Sequence, residues 1–300
     1  MTMQPPRSLL VPVDFTATSR AALAGAADLA RRFDASITVV HVEPAAAALA
    51  VARMDPEALE DHIVDVQRRL QALAREVLGP DREAEVFVEE GLLVAESILR
   101  VAVDRKVDWI CMGAGGKKGW TRLFLGSTAA EVVRRSPIPV LTLRGRSEDA
   151  EGFVFDDFRR VLVATDLSEG SDRLVALGAR LATPGGSLTL AHVIEVPAAY
   201  GLYGVPMTIP AENLEAAKEW TAGGLQRLVE GVEAKLLEPF RIEAGRAAER
   251  ILAMEDELQP DVTVVGTHGR HGLDRVLLGS VAERVVRGAG GPVLVVPLRG

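Results

Sequence analysis

The stretch VPVDFT at residues 11–16 returns as VATDLS at residues 163–168. In each copy an apolar run ends on an aspartate, which is typical of a buried strand that stops at a polar turn. Further stretches match at the same separation of 151–153 residues: ITVVHV with LTLAHV at 37–42 and 188–193, and IPVL with GPVL at 138–141 and 291–294. A repeat of half the chain indicates a duplicated domain rather than a solenoid of short units.

The 300-residue chain therefore divides into two domains, residues 1–146 and residues 157–300, which we call the first half and the second half. Domains of roughly 150 residues are an ordinary size. Residues 147–156 are the expected linker, because Gly, Ser, Glu and Asp cluster near this join and no apolar period continues through it.

Each half alternates short apolar runs with helical periods, which predicts an α/β fold. In the first half the expected strands are residues 8–13, 36–42, 83–89, 109–112 and 140–143, with four helices between them, the last over residues 127–135. Thr18 or Ser19 would cap the first helix, and Asp55 with Pro56 would begin the second. The strands are apolar throughout, so helices should cover both faces of a doubly wound, five-stranded parallel sheet in each half.

Ligands of such sheets bind beyond the carboxyl ends of the strands, at the point where the strand order reverses. The residues that leave the first and fourth strands are Asp14 and Gly113 in the first half, and Asp166 and Gly266 in the second. Two interpretations of the aspartates stay open: contact with a ligand, or capping of the turn that follows the strand.

A glycine pattern follows the fourth strand of both halves: Gly, two residues, Gly, nine residues, Gly-Ser. Its members are Gly113, Gly116, Gly126 and Ser127, and Gly266, Gly269, Gly279 and Ser280. Glycines permit positive φ and let backbone N–H groups approach a ligand, and a helix start attracts anions. The pattern therefore indicates a site that encloses phosphates. The alternative is that the glycines only make turns and that Ser127 and Ser280 only cap helices.

Specific residues argue against other kinds of binding or catalytic site. No Gly-Lys-Ser/Thr sequence completes a P-loop, and no third glycine completes a dinucleotide fingerprint. No nucleophile–base pair of the hydrolase type is evident. His268 and His271 lack the further ligands that a metal site needs. His41 and His192 are expected to pack or to bond the backbone, and Cys111 lies in a buried strand and should be inert.

The composition of the chain limits the partners that we expect. With 34 basic and 42 acidic residues the net charge is -8, and aromatic residues make up only 4% of the chain, so no nucleic-acid partner is expected. No apolar stretch approaches ~20 residues and the N-terminal apolar run is too short for a signal peptide, so no membrane association is expected. The single cysteine suits a reducing cytoplasm.

Together these features resemble the universal stress protein family, in its ATP-binding branch. The resemblance covers nearly the whole chain as two tandem copies, and it implies the strand order 3-2-1-4-5 in each half. It also implies ATP, with Mg²⁺, as the ligand. In the first half the implied contacts are Pro12, Asp14, Val42, Met112, Gly113, Gly116, Gly126, Ser127 and Thr128. In the second half they are Asp166, Val193, Val265, Gly266, Gly269, Gly279, Ser280 and Val281, with Ala164 where the first half has Pro12.

The resemblance implies that the protein acts in stress response through nucleotide-dependent conformation or protein contacts. Two alternatives stay open: a slow ATPase or self-phosphorylating protein, and a nucleotide-free scaffold with vestigial pockets. The halves should pair about a pseudo-two-fold axis through residues 140–143 and 293–297, with or without a further homodimer. Lys117 and Arg270 could meet phosphates or only solvent, and the segment 197–210, with both tyrosines, could be a lid, a contact surface or a packed loop.

Overall fold

A computed structural model describes residues 4–45, 57–80, 82–114, 125–143, 158–195, 211–233, 237–267 and 278–298. Several features singled out in the sequence lie outside these residues: Asp55, Pro56, Gly116, Lys117, Lys118, Gly269, Arg270, His268, His271, the linker at 147–156 and the segment 197–210.

Strands and helices alternate in both halves. The first half contains β1 (Ser8–Pro12), α1 (Ala17–Phe33), β2 (Ser36–Pro44), α2 (Glu57–Leu78), β3 (Glu85–Gly91), α3 (Val94–Asp104), β4 (Trp109–Gly113), α4 (Ser127–Arg135) and β5 (Val140–Leu143). The second half contains β6 (Arg160–Ala164), α5 (Ser171–Leu181), β7 (Ser187–Glu195), α6 (Ala211–Leu228), β8 (Arg241–Gly245), α7 (Ala247–Leu258), β9 (Val262–Gly266), α8 (Ser280–Gly288) and β10 (Val293–Val296). Among the described helices, none is both long and apolar enough to cross a bilayer.

The sheet confirms the predicted fold class. Its order is β3-β2-β1-β4-β5-β10-β9-β6-β7-β8, so each half has the order 3-2-1-4-5, with parallel pairing throughout. The edge strands β5 and β10 pair antiparallel, with Leu141 opposite Leu294, and this joins the two sheets into one of ten strands. Because the junction is antiparallel, the strands of the two halves run in opposite directions. Their carboxyl ends therefore lie on opposite edges of the common sheet.

The core consists of two apolar layers, one on each face of the sheet. Leu9 faces the layer that contains Leu23 of α1 and Leu70 of α2, while Leu10 faces the layer that contains Ile98 of α3 and Val132 of α4. Both layers continue into the second half. A fully buried leucine contributes about 1.5–3 kcal/mol, so these layers hold the strand ends in fixed relative positions.

Candidate functional site

A cavity of ≈ 330 Å³ opens at the carboxyl ends of β1 and β4, two parallel strands after which the chain passes to opposite faces of the first half's sheet. The strand order reverses at this point, and this is where open α/β sheets bind their ligands. Within the described residues, the first-half contacts named from the sequence all line this cavity: Pro12, Asp14, Val42, Met112, Gly113, Gly126, Ser127 and Thr128.

One wall of the cavity is apolar. Val42 and Met112 are buried at the ends of β2 and β4, and Pro12 ends β1 between them. Val94 and Ile98, in the first turns of α3, complete this wall. Sequence reasoning missed these last two as site residues, because their spacing marks the core face of a helix, and α3 directs that face both at the sheet and at the cavity.

Asp14 forms the polar side of the cavity. Its Oδ1 accepts hydrogen bonds from the Thr16 backbone N–H at 3.1 Å and from the Thr16 hydroxyl at 2.5 Å, while its own N–H donates to Ser19 Oγ at 3.2 Å. Burial alone would raise the pKa of the Asp14 carboxyl, but the hydrogen bonds from Thr16 and Ser19 outweigh it and lower that pKa. Asp14 therefore shapes the turn and presents an ionised oxygen to the cavity.

The cap of α1 differs from the sequence prediction. The N-cap is Thr16, whose hydroxyl accepts from the Ser19 N–H at 3.2 Å, rather than Thr18 or Ser19. The difference arises at Phe15, which has φ 61 and therefore turns the chain more sharply than an ordinary residue between strand and helix. The helix consequently begins at Ala17, and Thr18 lies inside its first turn against the cavity.

Removing the Thr16 cap has a defined expected effect. Thr16→Ala should lower the free energy of unfolding by about 1 kcal/mol at neutral pH, because the helix loses its cap and Asp14 loses a donor. A carboxyl whose pKa is lowered by folding adds stability that disappears as pH falls, so the loss should shrink in acid. Urea unfolding between pH 3 and 7 measures this, with Thr16→Ser as the control that keeps the hydroxyl. A loss that Thr16→Ser shares, or that grows in acid, would contradict the assignment.

Gly113 serves a purpose that the sequence did not indicate. Its φ is not positive, so a left-handed backbone is not the reason for glycine at this position. A Cβ on Gly113 would instead lie 2.5 Å from Thr18 Cγ2 and 2.8 Å from the Thr18 carbonyl oxygen. Glycine is therefore required because the start of α1 packs directly on the end of β4. This close packing brings the Asp14 turn and the α4 side of the cavity together.

The start of α4 supplies the donors of the site. Its N-cap is Gly126, with φ -56 and ψ 147, and no side chain of the described residues caps the helix. Ser127 is the first helical residue, so the alternative that Ser127 caps the helix is wrong, and the same holds for Ser280 after the N-cap Gly279. A helix start without a side-chain cap keeps backbone N–H groups for a ligand, and the helix dipole adds positive potential there. This favours an anion in the cavity.

The second half repeats the hydrogen bonds of the aspartate turn. Asp166 Oδ1 accepts from the Ser168 N–H at 3.1 Å and from the Ser168 hydroxyl at 2.6 Å. Like Gly113, Gly266 is not at positive φ, and a Cβ there would lie 2.5 Å from Leu298 Cδ1. The other second-half residues named from the sequence lie at the ends of β7 and β9 and at the start of α8: Val193, Val265, Gly279, Ser280 and Val281.

The histidines and the cysteine for which the sequence predicts no catalytic role occupy structural positions. His41 Nδ1 lies 2.7 Å from the Val13 carbonyl oxygen, and His192 Nδ1 lies 2.8 Å from the Thr165 carbonyl oxygen, so both rings bond the backbone. Cys111 is fully buried, and burial raises the pKa of its thiol far above neutrality. A thiol in this state is a poor nucleophile.

Comparison with known proteins agrees with the repeat. The model of the Universal stress protein family matches residues 6–144 and again residues 157–297. A universal stress protein of Mycobacterium tuberculosis is 30% identical over 302 residues, covering 96% of both chains.

Two crystal structures agree in fold over the full length. A structure from Pseudomonas aeruginosa superposes with a TM-score of 0.64 at 21% identity, covering 98% of this chain and 94% of that one. A universal stress protein from Archaeoglobus fulgidus superposes with a TM-score of 0.60 at 23% identity, covering 99% and 97%. The family model matches two segments that together cover most of the chain, and we conclude that this protein belongs to the universal stress protein family.

Proposed function

We propose that this protein binds ATP, with Mg²⁺, at the carboxyl edge of the sheet in each half, and that it acts in stress response through nucleotide-dependent conformation or protein contacts. One observation carries the proposal. A single cavity of ≈ 330 Å³ combines an apolar wall, a carboxylate whose pKa is lowered, and a helix start that has glycine, and so no side chain, at its N-cap. Pockets for ligands of nucleotide size are typically apolar, with a few convergent polar groups.

Each part of ATP has a chemical match in the cavity. The apolar wall formed by Pro12, Val42 and Met112 suits the faces of a purine ring. Oδ2 of Asp14 can accept a hydrogen bond from a ribose hydroxyl. The N–H groups at the start of α4, near Gly126 and Ser127, suit phosphate oxygens, because orphan donors and the helix dipole act in the same direction.

Magnesium fits this arrangement as part of the nucleotide. Among the described residues, no group of three or more His, Cys, Asp or Glu side chains could hold a metal ion. Mg²⁺ usually keeps several waters and binds through substrate phosphates with one or two carboxylates. In this proposal the phosphates carry the ion, and its role is to neutralise their charge.

The two halves form an intramolecular pair about a pseudo-two-fold axis in this proposal, as two chains would in a dimer. The antiparallel pairing of β5 with β10 supports it, since each half contributes the same strand. Arg32 of α1 adds a contact between the halves, because it donates to the carbonyl oxygen of Leu181 at the end of α5. A homodimer of the whole chain would have to use other surfaces, as these edge strands already pair. We place the protein in the cytoplasm.

We expect hydrolysis of ATP to be slower than ~1 s⁻¹, the lower end for working enzymes. Both nitrogens of His41, the histidine that lines the cavity, already face Val13 O and Glu43. The lowered pKa of Asp14 makes its carboxylate a weak base for activating water. Phosphate release from ATP–Mg²⁺ measures the rate. Turnover of tens per second that is abolished when Ser127→Asp and Ser280→Asp are combined would favour the ATPase alternative instead.

The experiment that tests the proposal directly is release and identification of nucleotide from purified protein, combined with melting in added ATP. A ligand that binds only the folded state stabilises it by about 2.7 kcal/mol at a hundredfold excess over Kd. ATP should therefore raise the melting temperature. The purified protein should release adenine nucleotide when it is denatured or, if it is first freed of nucleotide, should bind added ATP. A protein that holds no nucleotide and whose melting is unchanged by millimolar ATP would instead be the nucleotide-free scaffold.

A further inference from the structure

A buried carboxylate lies between two histidines beside the cavity of the first half. Glu43, at the carboxyl end of β2, has a side chain that is only 8% exposed. Its Oε2 lies 3.3 Å from His41 Nε2, and its Oε1 lies 3.3 Å from His62 Nε2 of α2. Neither Glu43 nor His62 lines the cavity, whereas His41 does. The group is therefore behind the proposed nucleotide site rather than in it.

The hydrogen bonds determine where protons must be. The Val13 carbonyl oxygen can only accept, so His41 Nδ1 carries a hydrogen and donates to it. In a neutral ring His41 Nε2 would then present a lone pair to a Glu43 oxygen, which also carries lone pairs if Glu43 is ionised. A hydrogen bond at this contact requires one further proton, on His41 or on Glu43. His62 Nε2 can donate to the other oxygen of Glu43 whether its ring is neutral or charged.

The ring of His41 connects this proton to the site. Through Nδ1 it holds the carbonyl of Val13, the residue before Asp14, and the Val13 N–H donates back to Val40 O at 2.8 Å. Its ring centroid lies 4.8 Å from that of Phe15, the residue at φ 61, with the two rings tilted by 45°. His41 therefore fixes the turn on both sides of Asp14, the carboxylate proposed to contact ribose. Loss of the proton between His41 and Glu43 would leave a lone pair of His41 Nε2 facing a lone pair of a buried Glu43 oxygen. The His41 ring would then be held less firmly.

The second half differs at the position of the carboxylate. His192 makes the corresponding bond to Thr165 O, but Ile194 stands where the first half has Glu43. The charged groups on the elements around the first-half cluster include Asp14 in the β1–α1 turn, Asp61, Asp65 and Arg69 on α2, and Glu89 and Glu90 on β3. Of these, Arg69 lies over the Phe15 ring at 4.8 Å, and Glu89 pairs with Arg100 of α3.

We propose that Glu43 and His62 are positioning residues for the first nucleotide site, and that the proton they share with His41 makes ATP affinity at this site fall as pH rises. The second site has no such dependence. The proposal rests on the proposed function, since it concerns affinity for ATP. Losing one hydrogen bond in the supporting group should weaken binding roughly 2- to 10-fold.

The test compares single-site proteins by calorimetry with ATP–Mg²⁺ between pH 5.5 and 8.5. Ser280→Asp leaves the first site and Ser127→Asp leaves the second, so the two variants are matched. The terminal phosphate of ATP titrates in the same interval, and it does so equally for both variants. The difference between their profiles is therefore the readout. We expect affinity in the Ser280→Asp protein to fall roughly 2- to 10-fold further with rising pH than in the Ser127→Asp protein.

Glu43→Gln in the Ser280→Asp protein is the decisive variant. The glutamine amide has the shape of the carboxylate, and its NH₂ can donate to a neutral His41 while its oxygen accepts from His62. It should therefore keep the ring in place at every pH and abolish the extra pH dependence. A structural role alone would lower affinity without changing the slope. An extra dependence that persists in Glu43→Gln, or that is absent before the substitution, overturns this inference. Failure of both single-site proteins to bind ATP at any pH overturns the proposed function as well.

Discussion

Ser127→Asp should weaken ATP binding in the first half roughly 100-fold while leaving the protein at least as stable. A carboxylate ~4 Å from a phosphate charge is repelled by about 1 kcal/mol in water and by about 4 kcal/mol at an effective dielectric constant near 20. A tenfold change in affinity corresponds to about 1.4 kcal/mol. The helix itself gains, because an acidic residue in the first turn stabilises by about 0.3–1 kcal/mol, and α4 has none. Binding and stability should therefore change in opposite directions.

Calorimetry and urea unfolding on the same samples measure both quantities. Ser127→Asn is the neutral control of similar size and should keep most of the affinity. Ser280→Asp is the matched variant of the second half, in which Ser280 begins α8 in the same way. If Ser127→Asp binds ATP as the unmodified protein does, phosphate does not lie at this helix start, and the proposed site is wrong there.

Gly113→Val should be the most destabilising of these substitutions, with a loss of about 3 kcal/mol in the free energy of unfolding. Its Cβ would lie 2.8 Å from the backbone oxygen of Thr18, and a backbone atom can move only if the start of α1 moves with it. Gly266→Val meets the side chain of Leu298 instead, with Cδ1 at 2.5 Å. A side chain can turn away, so we expect a loss of about 1 kcal/mol.

Urea unfolding of the two glycine variants checks this difference. Equal losses would show that the contact with Thr18 does not explain Gly113. Because Gly113→Val displaces α1 and the Asp14 turn, a loss of ATP binding in this variant would not report on phosphate contact. Ser127→Asp avoids that ambiguity, since Ser127 is exposed and at the helix start.

The sequence predicted those parts of the fold that depend on local patterns. The apolar runs located the five strands of the first half, and the helix predicted over residues 127–135 has those bounds in the structure. The strand order came from the resemblance to a family, because periodicity alone leaves several orders for a parallel sheet. The antiparallel junction of β5 and β10 is a contact between residues about 150 positions apart in the chain, which no local pattern encodes.

The candidate site was predicted where it depends on strand ends and was missed where it depends on packing. Asp14 and Gly126 line the cavity as anticipated, and their contact with nucleotide stays a prediction. The left-handed Phe15 carried no signal, since a bulky residue rarely adopts positive φ. The contact of Glu43 with His62 spans 19 residues and requires α2 to pack over the end of β2, so only the folded chain reveals it.

The measurement that tests the central claim most directly is a calorimetric titration of the intact, nucleotide-free protein with ATP–Mg²⁺. The repeated geometry, with Asp14 and Asp166 at the strand ends and uncapped helix starts at Gly126 and Gly279, predicts two equivalents of ATP per chain. The Ser127→Asp and Ser280→Asp variants should each bind one equivalent, and the double variant none. Absence of binding at millimolar ATP by the unmodified protein would contradict the claim that this chain is a nucleotide-binding protein.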